Sequence, residues 1–379
     1  MIDNMWLVSA LWVGLALVSA LISIRLALSV ALIEIMVGAV AGNVVGLPLT
    51  PWINYLAGFG AILLTFLAGA EVDMEVVRRN VGVSVGIGVL SFLLPYLGCM
   101  LAAHYLLGWG WPQAQIAGIS LSTTSVAVVY AVMVETGLNK SELGKIILAA
   151  CFITDLGTVL ALGIVFASFT VWLLAFAAAT LVVAWFLPKI APWFFSRFGR
   201  RVSEPEIKFL LLTLFALGGF ATAVGSEAVL PAYVIGMALA PVFQKDPDLP
   251  HRMRVIAFAV LTPFYFLKAG SLIEASTLVS GAGLIGLFLG LKMATKFIGI
   301  WPLTRYYRFE KREGMYTTLL MSTGLTFGSI SALYGLTNNI IDQRQYTILL
   351  IAVIASAVVP TVIAQRWFLP AIGAAKQQV

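Results

Sequence analysis

One stretch constrains the fold more than any other. Residues 143–166 read LGKIILAACFITDLGTVLALGIVF. At 1.5 Å per residue, a helical run of this length crosses a hydrocarbon layer of about 30 Å. Its only acid, Asp155, sits in the middle. A carboxylate at that depth costs roughly 2.5–3.5 kcal/mol on insertion scales, so it has to face protein or water. Cys151 and Thr158, four residues before it and three after, share its helix face. With Thr154 and Gly157 they make a polar notch in an apolar helix. Asp155 is therefore the candidate for a group that binds a cation and a proton in turn.

The rest of the chain repeats the apolar pattern. Of 379 residues, 61% are hydrophobic and 11% charged, against about 25% charged in soluble domains. No period-two alternation appears, so strands of a membrane barrel are excluded. The expected class is an all-α membrane protein with thirteen spans, near 5–22, 26–47, 54–72, 81–106, 112–134, 142–166, 168–190, 206–224, 227–243, 253–272, 277–300, 313–335 and 345–369. The connecting loops are short, which leaves no room for a soluble domain between spans. Asp3 and no basic residue precede the first apolar run, so no cleavable signal peptide is expected. Cys99 and Cys151 both fall inside spans and read as neither a disulfide nor a metal site. His104 and His251 read as interface residues.

Basic residues set the orientation. Nineteen of the 23 lysines and arginines fall on one side of the predicted spans, among them Arg78, Arg79, Arg200, Arg201, Arg305 and Arg308. The other side holds only Arg344, and Lys268, Lys292 and Lys296 lie within spans. The N-terminus is then outside and the C-terminus cytoplasmic, in a bacterial inner or plasma membrane. The formal net charge of +6 is a topology signal and implies no nucleic-acid partner.

The chain also contains an internal repeat. Residues 121–138, LSTTSVAVVYAVMVETGL, align with 321–338, MSTGLTFGSISALYGLTN, at an offset of 200. At the same offset Phe66-Leu67 meets Phe266-Leu267. The copies lie seven spans apart, an odd number, so they insert upside down relative to each other. Inverted repeats of about 26–167 and 227–370, joined by a linker helix at 168–190, point to a secondary transporter with a midplane site. Ser122, Thr123, Thr124 and Ser125 are consecutive hydroxyls in mid-span, and Ser322, Thr323, Gly324, Thr326, Gly328, Ser329 and Ser331 fill the matching stretch. Such runs weaken a helix, and non-helical backbone at this depth survives only inside protein or beside water. Both helices are expected to break and to aim their partial charges at the centre. The alternative is that the small residues only allow close packing.

Other intramembrane charges leave more open. Lys296 either balances Asp155 and the helix dipoles or snorkels to the cytoplasmic surface. Lys292, one turn away, has no assigned role, and Lys268 lines the site or snorkels. Glu71 and Asp73 read as a solvated helix end near Arg78 and Arg79. Glu34 is given no role. Gly38, Gly42 and Gly46 form a ridge suited to helix packing.

These segments carry a family resemblance. FLAGAEVD, TTSVAVVYAVMVETGLNKSELG, ITDLGTVLAL, KFIGIW, STGLTFGSISALYGL and SAVVPTVIAQRWF stand in order over nearly the whole chain. They resemble the monovalent cation:proton antiporters, in the second of their two large families, the Kef-type and NapA-type branch. The resemblance implies a homodimer in the lipid bilayer, two crossed broken helices, a still dimerisation domain and a moving core. That core would comprise 54–72, 81–106, 112–166, 253–272, 277–300 and 313–369. It further implies that Asp155 holds the monovalent cation or the proton, beside Thr154, Thr124 and Ser125. Lys296 matches the family's lysine, and Cys151, Thr123, Ser322, Thr323 and Thr326 support the site. Electrogenic relatives carry two adjacent aspartates, and Thr154 stands in place of the first here, which points to electroneutral one-for-one exchange. The Kef-type nucleotide-binding domain is not expected, since the chain ends ten residues after the last predicted span.

The expected activity is exchange of sodium, with potassium a close second, for protons by alternating access, with no cofactor. An ion channel would want a continuous polar path, whereas the polar residues form one central cluster. An organic-anion carrier would want a cation facing substrate, a place open to Lys268 or Lys292. An enzyme is the least supported class, because no Ser–His or paired-Asp arrangement is legible across the spans.

Overall fold

The computed structural model describes residues 4–26, 29–71, 81–138, 141–166, 171–224, 226, 228–246 and 248–370. In chain order the helices are α1 (Met5–Leu26), α2 (Val30–Val44), α3 (Pro51–Ala70), α4 (Val81–Tyr105), α5 (Trp111–Ser122), α6 (Val126–Glu135), α7 (Glu142–Val165), α8 (Val171–Phe198), α9 (Pro205–Ala223) and α10 (Val229–Phe243). There follow α11 (Asp248–Ile256), a π-helical turn (Ala257–Leu261), α12 (Thr262–Ser271), α13 (Ala275–Ser280), α14 (Ala282–Tyr306), α15 (Lys311–Met321), α16 (Thr326–Thr337) and α17 (Gln343–Trp367). Among the described residues, ten helical runs are long and apolar enough to cross a membrane, with Asp248–Ser271 and Lys311–Thr337 each taken as one. The helices α2 and α10 are shorter and apolar.

The predominance of helix follows from the solvent: in hydrocarbon a backbone amide must find its partner within its own segment. Ends are marked locally. Pro51, Pro112 and Pro205 open α3, α5 and α9, where their missing N–H costs nothing. Asp342 and Gln345 form a capping box at the start of α17, and Glu310 and Glu313 one at the start of α15.

The described residues group into two units. The first takes residues within 1–20, 47–74 and 159–268. Its core includes Phe66, Leu67, Leu187, Leu210, Leu214, Ile235, Leu239, Phe243 and Met253. Helices α3 and α10 meet backbone to backbone: a Cβ at Gly69 would collide with the Tyr233 carbonyl, and one at Gly236 with the Phe66 carbonyl. This small-residue contact is how membrane helices approach without a hydrophobic driving force. It ties the span expected at 54–72 to α10 within the first unit. Most of the span expected at 253–272 lies in this unit too, with the Leu261 carbonyl 2.7 Å from where a Cβ of Gly60 would stand. Glu71 pairs with Arg254 at 2.7 Å. Asp73, Arg78 and Arg79, its expected surroundings, lie outside the described residues. Arg252 pairs with Glu204 and, at 3.6 Å, with Glu206.

The second unit takes residues within 21–46, 75–158 and 269–379. It contains α2, α4 to α6, most of α7 and α13 to α17. Asn43 of α2 donates from Nδ2 to the Ile273 carbonyl at 2.7 Å and accepts from the Ala275 amide at 3.1 Å. The Tyr307 hydroxyl donates to the Gly82 carbonyl at 2.7 Å, joining α14 to α4. Ile87, Val129, Met133, Ile147, Ile300, Tyr316 and Leu320 pack the interior.

A candidate ion site at two broken helices

Both expected breaks occur, and both lie in the second unit. Helix stops at Ser122 and restarts at Val126; it stops at Met321 and restarts at Thr326. Thr123 is extended, with φ −62° and ψ 154°. Hydroxyls accompany both breaks. Thr123 donates to the Ser120 carbonyl at 3.2 Å, and its counterpart Thr323 donates to the Leu320 carbonyl at 2.8 Å. Ser122 and Ser322 donate to the carbonyls of Ile119 and Thr318. Side chains thus satisfy carbonyls of the last turn at each break.

The two interrupted segments are bonded to each other. Thr124 Oγ1 donates to the Met321 carbonyl at 2.9 Å, and the Ser125 amide donates to Thr323 Oγ1 at 3.4 Å. Ser125 Oγ accepts from the Val128 amide at 3.4 Å, capping the restarted helix. These bonds join residues 197 and 198 apart in sequence.

Lys296 of α14 completes the first break. It is fully buried. Its ammonium donates to Ser91 Oγ at 2.7 Å, to the Ser122 carbonyl at 2.8 Å and to Thr124 Oγ1 at 3.0 Å. All three N–H groups are used. One goes to the carbonyl at the C-terminal end of α5, where a helix presents partial negative charge. Lys296 thus does not snorkel, and Lys292 is buried too. Lys292 donates to Ser356 Oγ of α17 at 3.0 Å.

Asp155 lies on α7 with 1% of its surface exposed. Its Oδ1 is buried and accepts no hydrogen bond. Lys296 is the cation that acts on it electrostatically. One turn earlier Cys151 Sγ meets Met321 Sδ at 3.6 Å, so this face of α7 touches the end of α15. Gly157 faces the ring of Phe92, where a Cβ would come within 2.8 Å.

The expected site residues thus divide. Thr124, Ser125, Thr323 and Lys296 are brought into one network, and Cys151 reaches its edge. Thr123 borders it from the first break. The Thr154 hydroxyl points toward α4, donating to the carbonyls of Gly88 at 3.2 Å and Ala150 at 3.0 Å. Ser322 turns back on its own helix, and Thr326 opens α16, its carbonyl accepting from Ser329. Ser91 and Ser356 had no expected role.

A family model described as sodium/hydrogen exchanger, transmembrane, matches residues 13–369. The chain belongs to that family. Among similar proteins is the probable Na(+)/H(+) antiporter 3 of Methanocaldococcus jannaschii, 27% identical over 350 residues that cover 88% of each chain. The Na(+)/H(+)-K(+) antiporter GerN of Bacillus cereus is 23% identical over 337 residues, covering 84% of this chain and 86% of that one. The solved structure of the sodium proton antiporter MjNhaP1 from Methanocaldococcus jannaschii at pH 8 superposes with a TM-score of 0.72 at 16% identity. It covers 95% of this chain and 98% of its own, and so the fold is shared. This exchanger-family chain is a multi-pass integral membrane protein, in keeping with its ten spanning runs.

Proposed function

We propose that this protein exchanges a monovalent cation for protons across the membrane, with Asp155 as the group both ions share. One observation carries the reading: Asp155 is buried with Oδ1 unpartnered, while the neighbouring ammonium spends its hydrogen bonds elsewhere. A buried carboxylate oxygen without a partner is costly, and a proton or a desolvated cation relieves the cost. Thr124 and Ser125 supply further oxygens of the kind hard cations take. Sodium is the favoured ion and potassium the second, in line with the ions in the names of the relatives. The charged, empty site does not cross the hydrocarbon barrier and the loaded site does, so exchange runs without leak. One carboxylate then gives one cation for one proton, with Lys296 keeping its proton throughout.

The same reading supplies the architecture. It has thirteen crossings in two inverted repeats, the N-terminus outside, the C-terminus cytoplasmic, and a homodimer whose dimerisation domain stays still while a core alternates its access. The basic-residue bias, the repeat offset of 200 and the matched breaks support it.

Proteoliposomes loaded with a pH-sensitive dye test the activity. Sodium, potassium or lithium added outside should release protons, and Asp155→Asn should abolish the signal in a protein that still elutes as one species. Proton flux that survives Asp155→Asn rejects the assignment. Because proton and cation compete, the apparent cation KM should fall as pH rises, by about tenfold per unit where a single proton competes. Rates that respond to membrane potential at fixed gradients would exclude one-for-one exchange.

A further inference from the structure

The second break has its own lysine, one turn before Lys296 on the same face of α14. Lys292 is fully buried and donates to Ser356 Oγ at 3.0 Å; Ser356 in turn donates to the Val353 carbonyl at 2.7 Å. Its ammonium lies directly against Gly324, in the middle of the break. A Cβ on Gly324 would collide with Lys292 Nζ and would stand 2.9 Å from Thr123 Oγ1 and 3.2 Å from Ser356 Oγ. Gly324 is flanked by the groups that bond the first break: Met321, whose carbonyl receives Thr124, and Thr323, whose hydroxyl receives the Ser125 amide. Helix α14 therefore braces both interruptions, Lys296 through hydrogen bonds and Lys292 through one hydrogen bond and close packing on a residue without a side chain.

We propose that Lys292 is a positioning residue for exchange. By holding α17 and the Gly324 backbone together, it fixes where Met321 and Thr323 stand, and through them the oxygens of Thr124 and Ser125 that face the transported ion. It acts through the second break rather than on Asp155. The proposal rests on the reading of Asp155 as the shared ion site.

The test is a set of variants in dye-loaded proteoliposomes, with apparent KM for sodium and maximal rate measured separately. Lys292→Met ends one atom short of Nζ. It should raise KM about 3–10-fold, as expected for a hydrogen bond of about 1 kcal/mol, with the maximal rate within about twofold. Gly324→Ala should raise KM more, because Nζ occupies the space of the new methyl. In the double variant that space is vacated, so KM should return to the value of Lys292→Met alone. Ser356→Ala, the mildest change, should raise KM about 2–5-fold. An unchanged KM in Lys292→Met or Ser356→Ala, with only a lower melting temperature or rate, overturns the proposal. So does a double variant whose defect is the product of the two single ones. Flux retained in Asp155→Asn would reject the underlying reading instead, whatever the Lys292 variants do.

Discussion

The first break is held by an ammonium with three oxygen partners, and the second by an ammonium with one. Lys296 bonds Ser91, the Ser122 carbonyl and Thr124. Lys292 bonds Ser356 and presses on Gly324. The interruptions share one bond: Thr123 and Thr323 each donate to the carbonyl three residues back. The difference sits where the carboxylate sits. Asp155 has Ala355 as its repeat counterpart, and Ser356 follows. The half that holds the acid has a lysine anchored by direct bonds, and the half without an acid has a lysine anchored by shape.

The largest expected effect separates the two lysines. Lys296→Met strands three oxygens and leaves Asp155 without its cation, and should destabilise the protein by about 3–5 kcal/mol and abolish exchange. Lys292→Met should cost about 1–2 kcal/mol and leave exchange measurable. Thermal melts in detergent that rank them the other way would break the comparison. Next is the bond that ties the breaks together. Thr124→Val removes the hydroxyl shared by Lys296 and the Met321 carbonyl and should cost about 1–3 kcal/mol, with a higher cation KM in flux assays. Smaller again is Thr154→Val. Its hydroxyl serves α4–α7 packing through Gly88, so KM should stay constant while the melting temperature falls; a KM raised roughly 2–10-fold would make it a further ligand oxygen. The smallest effect is expected far from either break. Arg254→Gln breaks a half-exposed pair with Glu71, should cost under about 1 kcal/mol and should leave KM unchanged, which checks that the larger effects are local.

Much of the site was legible because its residues violate the rule for their surroundings. An acid in mid-span, two hydroxyl and glycine runs at a fixed offset, and lysines in an apolar helix each carry a cost in those surroundings. What was not legible were the groups that look ordinary. Ser91 is one serine in a span that tolerates serine, yet it receives Lys296. Thr154 adjoins Asp155 in sequence, but its hydroxyl serves the carbonyls of Gly88 and Ala150. Neighbours along a helix are 100° apart in direction, so adjacency to an acid says little about facing the same space. Lys292 was visible as a buried charge and silent as to partner, because Ser356 comes from a helix 64 residues further on.

Sequence alone determined that the chain is helical and membrane-embedded and where its helices are interrupted, since long unbroken apolar runs without period-two alternation leave hydrocarbon-spanning helix as the backbone, and hydroxyl and glycine runs within them stand out. Tertiary structure decided which hydroxyl meets which carbonyl and which lysine serves which break. The span at 54–72 shows the same limit: its apolar run predicts a crossing, but only the fit of Gly69 and Gly236 against facing backbone tells which helix it packs on. Those choices depend on distances between segments up to 205 residues apart, and no local pattern in a chain encodes such a distance.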